Sequence, residues 1–293
     1  MTADTWAPRR LGATTLADGR QLAWAEWGPE DGTPVLLCPG AATSRSLGFG
    51  IADLDELGVR LVSVDRPGLG ASTASPTRTL SDFAADIAEL ADRRGWWAPG
   101  VVGYSQGAPF ALACASAGLA AAVALVAAAD EVARPETARL MPQEMRELAE
   151  LSVTRSQEAE ALFARFTPEA MRDLVMRHSP QCDLVVYQEP RFSAAYSQAL
   201  QEAFVQGPGG YARDTLLAMR PWDCDLAGIT APVDLWYGSE DRSHSPDQGE
   251  QLASRIPRAV RHLVPGTGGS VLWTHARPIL RQLLGGLSQD GRA

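Results

Sequence analysis

The sequence predicts an α/β fold with a mostly parallel eight-stranded sheet, helices on both faces and one inserted helical segment. Three observations carry that expectation. Short β-branched runs alternate with stretches of helical period before residue 131 and again after residue 222. Most of those runs are apolar throughout rather than alternating with polar residues, which is the pattern of strands covered on both faces. Between them, residues 131–222 show helical patterning only. The expected organisation is therefore a core formed by residues 1–130 and 223–293, with an inserted helical cap at 131–222.

Taken in order, Leu11–Leu16 and Gln21–Trp27 flank Asp18-Gly19, a strong short hairpin signal, so the chain should open on two antiparallel strands. Pro34–Cys38 and Arg60–Asp65 read as short buried strands. Each ends in a loop, Pro39-Gly40-Ala41-Ala42-Thr43-Ser44 and Arg66-Pro67-Gly68-Leu69-Gly70-Ala71-Ser72 respectively. From Thr79 to Gly95 the period becomes helical, with Leu80, Phe83, Ala84, Ile87, Leu90 and Ala91 on one face. Thr79 and Asp82 have the spacing of a capping box, and Gly95 suits the residue just past the helix end. A strand then enters Ser105, a helix follows to about Gly118, and Ala121–Ala128 is a further strand.

In the inserted segment, helices are expected at Pro135–Leu151, Gln157–Phe166, Pro168–His178 and Phe192–Phe204, followed by a break at Gly207-Pro208-Gly209-Gly210. Strand character returns at Val233–Gly238. A helix over Pro246–Arg255, a strand over Val260–Val264 and a last helix over Val271–Leu284 complete the chain.

Composition narrows the function classes. Of 293 residues, 45% are hydrophobic and 21% charged, which is globular rather than disordered. A formal net charge of −9 offers no cationic excess to neutralise phosphates, so nucleic acid is not an expected partner. Cys38, Cys114, Cys182 and Cys224 are widely spaced and match no zinc or redox motif, so they read as free thiols. Met1–Trp6 lacks the basic and apolar regions of a signal peptide. The longest apolar run, Leu119–Ala129, is too short to span a bilayer. A soluble cytoplasmic protein acting on a small molecule is the expectation, with no membrane partner. No cofactor or metal is implied, because histidines and carboxylates do not cluster at ligand spacing.

The chemistry centres on Val101-Val102-Gly103-Tyr104-Ser105-Gln106-Gly107. A strand running through Gly-x-Ser-x-Gly into a small-residue helix makes a tight turn that lifts a serine hydroxyl out of the fold. The unpaired N–H groups of the following helix are aimed at the same place. Beside this motif stand Arg66-Pro67-Gly68-Leu69-Gly70-Ala71-Ser72, Gly238-Ser239-Glu240-Asp241 with Pro246, Gly266-Thr267-Gly268, and Pro39-Gly40-Ala41. In order and placement these resemble the α/β-hydrolase fold superfamily, in its capped serine hydrolase form, from about Leu11 to Leu284.

The resemblance implies a serine that attacks an acyl carbon, a histidine that takes its proton, a carboxylate that orients the histidine, and two main-chain N–H groups for the oxyanion. Residue by residue, it places the nucleophile at Ser105, the acid at Asp241 and the oxyanion donors at Ala41 and Gln106. Asp65 reads as a structural carboxylate of its loop. The departure is at residue 269. In the family, Gly-x-Gly is followed at once by the catalytic histidine, and here Gly266-Thr267-Gly268 is followed by Gly269. Without a base, a Ser-Asp pair is a poor acyl-transfer catalyst, because an alkyl hydroxyl does not ionise alone at neutral pH.

Four histidines are candidates for the vacant role. His262 lies on the last strand and reads as core or edge packing. His178 falls on a helix face with Met171, Leu174 and Val175 and reads as a satisfied core histidine. His275 is six residues past the vacancy, which in a helix is about 9 Å along the axis and roughly 240° round it. His244 follows Asp241 by three residues in a loop at a strand's C-terminal end, where such loops rim the ligand crevice. Three residues span about 10 Å at most, so a local turn would let Asp241 orient His244. His244 is the preferred base, and His275 the alternative.

The leading expectation is a hydrolase of an ester, lactone, thioester or amide. Leu162, Phe163, Phe166, Met171, Leu174, Val175 and Met176 point to a moderately apolar substrate. The alternatives are a non-hydrolytic enzyme (lyase, cyclase or isomerase) on the same scaffold, or a ligand-binding protein in which Ser105 is inert.

Overall fold

The computed structural model describes residues 6–290, with side chains through residue 287. Of the opening segment read above as lacking a leader, Met1–Thr5 lie outside the described residues.

The chain begins with β1 (Arg10–Thr15) and β2 (Gln21–Trp27), paired antiparallel with Thr15 opposite Gln21. The Asp18-Gly19 turn forms as expected, with Gly19 in the left-handed region at φ 86°. Next come β3 (Thr33–Cys38), α1 (Leu54–Leu57), β4 (Val59–Val64), α2 (Leu80–Arg93), β5 (Gly100–Tyr104), α3 (Ala108–Ser116) and β6 (Ala122–Val126). The capping box forms, with the Thr79 side chain accepting from the Asp82 N–H and the Asp82 carboxylate accepting from the Thr79 N–H.

A helical block separates β6 from the last two strands. It comprises α4 (Pro135–Ala138), α5 (Gln143–Thr154), α6 (Ser156–Phe163), α7 (Pro168–His178), α8 (Gln181–Tyr187), α9 (Pro190–Ala203) and α10 (Gly209–Met219). Then follow β7 (Val233–Gly238), α11 (Glu250–Ser254), β8 (Ala259–Val264), α12 (Val271–Thr274) and α13 (Ala276–Asp290). Among the described residues the strands form one eight-stranded sheet in the order β1-β2-β4-β3-β5-β6-β7-β8. From β4 onward every pairing is parallel, and β1–β2 and β2–β4 are antiparallel.

The strands alternate their side chains between two buried layers. Leu36, Val101 and Val123 pack with Phe83, Ile87 and Phe110 of α2 and α3 on one face. Val35, Leu37 and Val102 pack with Ile279, Leu280 and Leu283 of α13 on the other. The inner strands are buried on both faces, which is why their sequences are mostly apolar, whereas β1 and β8 at the edges are partly exposed.

Several helix boundaries differ from expectation, each for a local reason. The single helix expected at Pro135–Leu151 is split, because Pro142 takes an extended conformation (φ −54°, ψ 154°) and restarts the chain as the cap of α5. The helix expected from Pro246 starts only at Glu250. Ser245 Oγ accepts from the Gly249 N–H and Asp247 Oδ2 from the Gln251 N–H, which holds the intervening residues in a turn. The last helix divides at His275, whose φ −124° and ψ 28° are not helical. Helices α8 and α10 were not expected. The glycine pair read as a break opens α10, where Gly210 lies against the Gly68 main chain so closely that a Cβ would overlap the Gly68 carbonyl. Among the described residues no helix is long and apolar enough to cross a membrane.

Polar ties bind the helical block to the sheet. Asp214 of α10 receives both Arg66 and Arg78, all three wholly buried or nearly so. Ser44 Oγ donates to Glu202 at 2.8 Å, and Gln206 Nε2 donates to the carbonyls of Gly70 and Ser72. Alongside them, Ala42, Leu47 and Leu69 share an apolar cluster with Phe163, Phe192 and Leu216.

Candidate active site

Ser105 sits at the C-terminal end of β5 with φ 51°, a left-handed conformation that costs a non-glycine residue about 1–3 kcal/mol. The flanking glycines make that turn fit. A Cβ at Gly103 would lie 2.7 Å from Ala111 Cβ and 2.9 Å from Ala108 Cα, and one at Gly107 would overlap the Cys38 carbonyl. So β5 and α3 close tightly on either side of a half-buried serine.

The loop Pro39-Gly40-Ala41 packs against this turn. A Cβ at Gly40 would meet Tyr104 Cδ1 at 3.0 Å and Ser105 Cβ at 3.6 Å. Arg66, missed by the sequence reading, anchors the loop. Its Nη1 donates to the Pro39 carbonyl at 2.6 Å and its Nη2 to the Gly40 carbonyl at 3.0 Å, while its Nε donates to Asp214 Oδ2 at 2.6 Å. No peptide bond is cis among the described residues. The N–H of Ala41 therefore points away from Arg66, opposite to the Gly40 carbonyl. Gln106, whose N–H belongs to the same turn as Ser105, holds its side chain aside by donating to Thr215 Oγ1 at 3.1 Å.

Asp241 and His244 form a pair inside one loop. His244 Nδ1 lies 2.8 Å from Asp241 Oδ2 and 3.1 Å from Oδ1, and the same carboxylate accepts from the N–H groups of Ser243 and His244. This is the local turn expected from the three-residue spacing. Asp241 is buried and His244 partly buried. Burial pulls the imidazolium down, but the charge and hydrogen bond of Asp241, with a further contribution from the charge of Asp183, leave the His244 pKa raised above its ordinary value of 6.5. Burial pushes Asp241 up, yet the His244 charge and the loop's hydrogen bonds leave it below the usual carboxylate value.

Gly269 abuts this pair. A Cβ at 269 would lie 2.5 Å from His244 Cε1 and 3.1 Å from Nδ1, so the imidazole of His244 fills the space where a side chain at 269 would begin. The other side of the same loop belongs to Asp183 of α8. Its buried carboxylate accepts from three successive N–H groups, those of Gly268 at 3.1 Å, Gly269 at 2.7 Å and Ser270 at 3.1 Å. The Tyr104 hydroxyl donates to the Gly269 carbonyl at 3.2 Å. Burial pushes the Tyr104 phenol above its ordinary pKa, which keeps it a donor. Asp183 and Tyr104 were also missed. An aspartate inside a short helix carries no local sign that its partners lie 85 residues away.

The side chains of the remaining candidates take no part in these hydrogen bonds. His262 is part-buried on β8, with Nε2 2.5 Å from Asp234 Oδ1 and its ring stacked on Trp236 at 4.2 Å, so it packs at the sheet's end as expected. His178 is exposed rather than a core histidine, because α7 buries only Met171 and leaves Leu174 39% exposed. His275 sits at the α12–α13 junction with its Nδ1 3.0 Å from Thr274 Oγ1. Asp65 is fully buried and accepts from the N–H groups of Arg45 and Ala71 and from the Arg45 guanidinium, a structural role. Among the described residues, no three His, Cys, Asp or Glu side chains group as a metal site.

Comparison with known proteins agrees with this geometry at the level of fold. The sequence model of the alpha/beta hydrolase fold matches residues 33–276. An enol-lactonase from Burkholderia xenovorans LB400 superposes with a TM-score of 0.65 at 21% identity, covering 94% of this chain and 100% of that one. An esterase from Rhodococcus sp. ECU1013 gives 0.64 at 23% identity, covering 96% and 99%. A thermophilic esterase from Thermogutta terrifontis gives 0.66 at 21% identity, covering 96% and 98%. No curated protein sequence matches.

Proposed function

Because the chain belongs to the α/β-hydrolase fold family, we propose that it is a serine hydrolase whose base is supplied by His244 from the acid loop. Its substrate is an ester, lactone, thioester or amide of a moderately apolar small molecule. The observation that carries this reading is the shared volume between residues 244 and 269. The imidazole fills the space where the family's histidine side chain would start, and it is already paired with Asp241.

In this reading Ser105 Oγ attacks the acyl carbon and passes its proton to His244, and Asp241 stabilises the imidazolium that forms. The N–H groups of Ala41 and Gln106 hold the oxyanion, and the leaving group departs with the proton from His244. Water, deprotonated by the same imidazole, then releases the acid and frees Ser105. The α4–α10 block acts as a cap. The structural neighbours named as esterases and an enol-lactonase are compatible with acyl chemistry on this fold.

The test is fluorophosphonate labelling with steady-state esterase assays on the unmodified chain, His244→Ala and His275→Ala. Ser105 should label promptly in the unmodified chain. His244→Ala should lose about 10²- to 10⁴-fold in kcat/KM, the usual contribution of a general base, while His275→Ala stays within about twofold. Only neutral imidazole accepts a proton, so kcat/KM should rise with pH along a limb centred above the ordinary histidine value. Full activity in His244→Ala would sink the assignment. A folded protein that never labels would favour a lyase, cyclase or isomerase, or a binding protein.

A further inference from the structure

We infer that Asp183 is a positioning residue for His244, holding the Gly268–Ser270 loop so that seating of the helical block and placement of the base are one event. The inference rests on His244 being the base. Asp183 stands on α8 and reaches three consecutive main-chain N–H groups. Successive N–H groups converging on one point make an anion-binding nest, and charge-assisted bonds to a carboxylate are about twice as strong as neutral ones. Here the nest is filled by the protein's own side chain, from a different element.

The fit leaves little room. A Cβ at Gly268 would overlap Asp183 Oδ2 and lie 2.7 Å from Pro180 Cγ. Gly269 is consequently gripped from two sides, by the Asp183 carboxylate on its N–H and by the His244 ring against its α-carbon. Two more ties join the same parts. The Tyr187 hydroxyl, one turn after Asp183 on α8, lies 3.5 Å from the Tyr104 hydroxyl, which holds the Gly269 carbonyl. Ser243 Oγ donates to the His178 carbonyl at the end of α7 at 3.3 Å, fastening the acid loop to the block. The charged and titratable groups around His244 are Asp241 from its own loop, Asp183 and Tyr187 from α8, and Tyr104 from β5.

Asp183→Asn keeps the size of the side chain but removes the charge and leaves a single acceptor oxygen for three donors. Its kcat on a small ester should fall by about tenfold or more, since a misplacement of about 1 Å can cost 10²-fold. KM should change little, because Asp183 is not assigned to contact the substrate. The rising limb of kcat/KM should also move to lower pH as one of the two carboxylates that support the His244 imidazolium is lost, an effect that loosened packing alone would not produce.

Gly268→Ala provides an independent arm should Asp183→Asn fail to fold. It displaces the carboxylate from the loop without changing charge, and kcat should again fall about tenfold or more. Wild-type kcat and an unmoved limb in Asp183→Asn, or full activity in Gly268→Ala, would overturn the inference. Those outcomes together with an inactive His244→Ala would leave the base assignment standing and remove only the role of Asp183. An active His244→Ala would remove the base assignment itself.

Discussion

A methyl group at residue 269 is the smallest probe of how the histidine is seated. Gly269 is not in the left-handed region, so its backbone accepts an L side chain, and the strain in Gly269→Ala comes from a Cβ 2.5 Å from His244 Cε1. Moving the ring by even about 1 Å should lower kcat on the order of 10²-fold. Gly285→Ala, where a Cβ meets nothing within 4 Å, should leave kcat unchanged. On the proposed assignment, the double change His244→Ala with Gly269→His should recover part of the activity lost in His244→Ala, because it returns an imidazole to the seat that the family resemblance implies. Equal rates in Gly269→Ala and the unmodified chain would contradict the shared volume. At this scale, the Ser105 turn and the Asp241–His244 pairing were legible because each stands in a short motif or within three residues of one. The ties made by Asp183, Arg66 and Tyr104 were not, since most of their partners are main-chain atoms of distant loops and any sequence supplies those.

Among the elements, α10 shows best what pattern reading misses. Its first two residues are glycines, which usually end helices, yet the second, Gly210, is where α10 meets the Gly68 turn backbone to backbone. That approach brings Asp214 between Arg66 and Arg78, with all three out of solvent. Removing one partner of a buried ion pair leaves the others uncompensated, so Asp214→Ala should destabilise the protein by about 3–5 kcal/mol in urea unfolding. A loss below about 1 kcal/mol would show that the two arginines find other acceptors. The strands, by contrast, were legible almost to the residue. Burial on both faces writes an uninterrupted apolar run into the sequence, and Gly or Pro marks many of the ends. The helices of the block are joined by short loops, so Pro142 and the paired glycines disguised where α5 and the mostly buried α10 begin.

Across the molecule, the sheet and the helical block are joined by buried charge and by shared apolar packing rather than by a linker alone. Asp214, Glu202 and Gln206 cross the boundary in one region and Asp183 and Tyr187 in another, with the cluster around Leu69, Phe192 and Leu216 between them. Unfolding the block alone would strand Arg66 and Arg78 without their carboxylate, so the two parts should melt together. Calorimetry should show a single transition whose van't Hoff and calorimetric enthalpies agree. Two resolved transitions would mean that the block opens independently.

The shared volume at residues 244 and 269 also has a consequence for how such chains can diverge. Two positions that compete for one space behave as an either-or pair: a side chain at 269 evicts the imidazole at 244, and the imidazole at 244 forbids a side chain at 269. On the proposed assignment of His244 as the base, drift from one arrangement to the other must pass through a chain with no base or a chain with a clash, so single steps are disfavoured. Among homologues, histidine at 244 should travel with glycine at 269, and where 269 carries histidine, position 244 should hold some smaller residue.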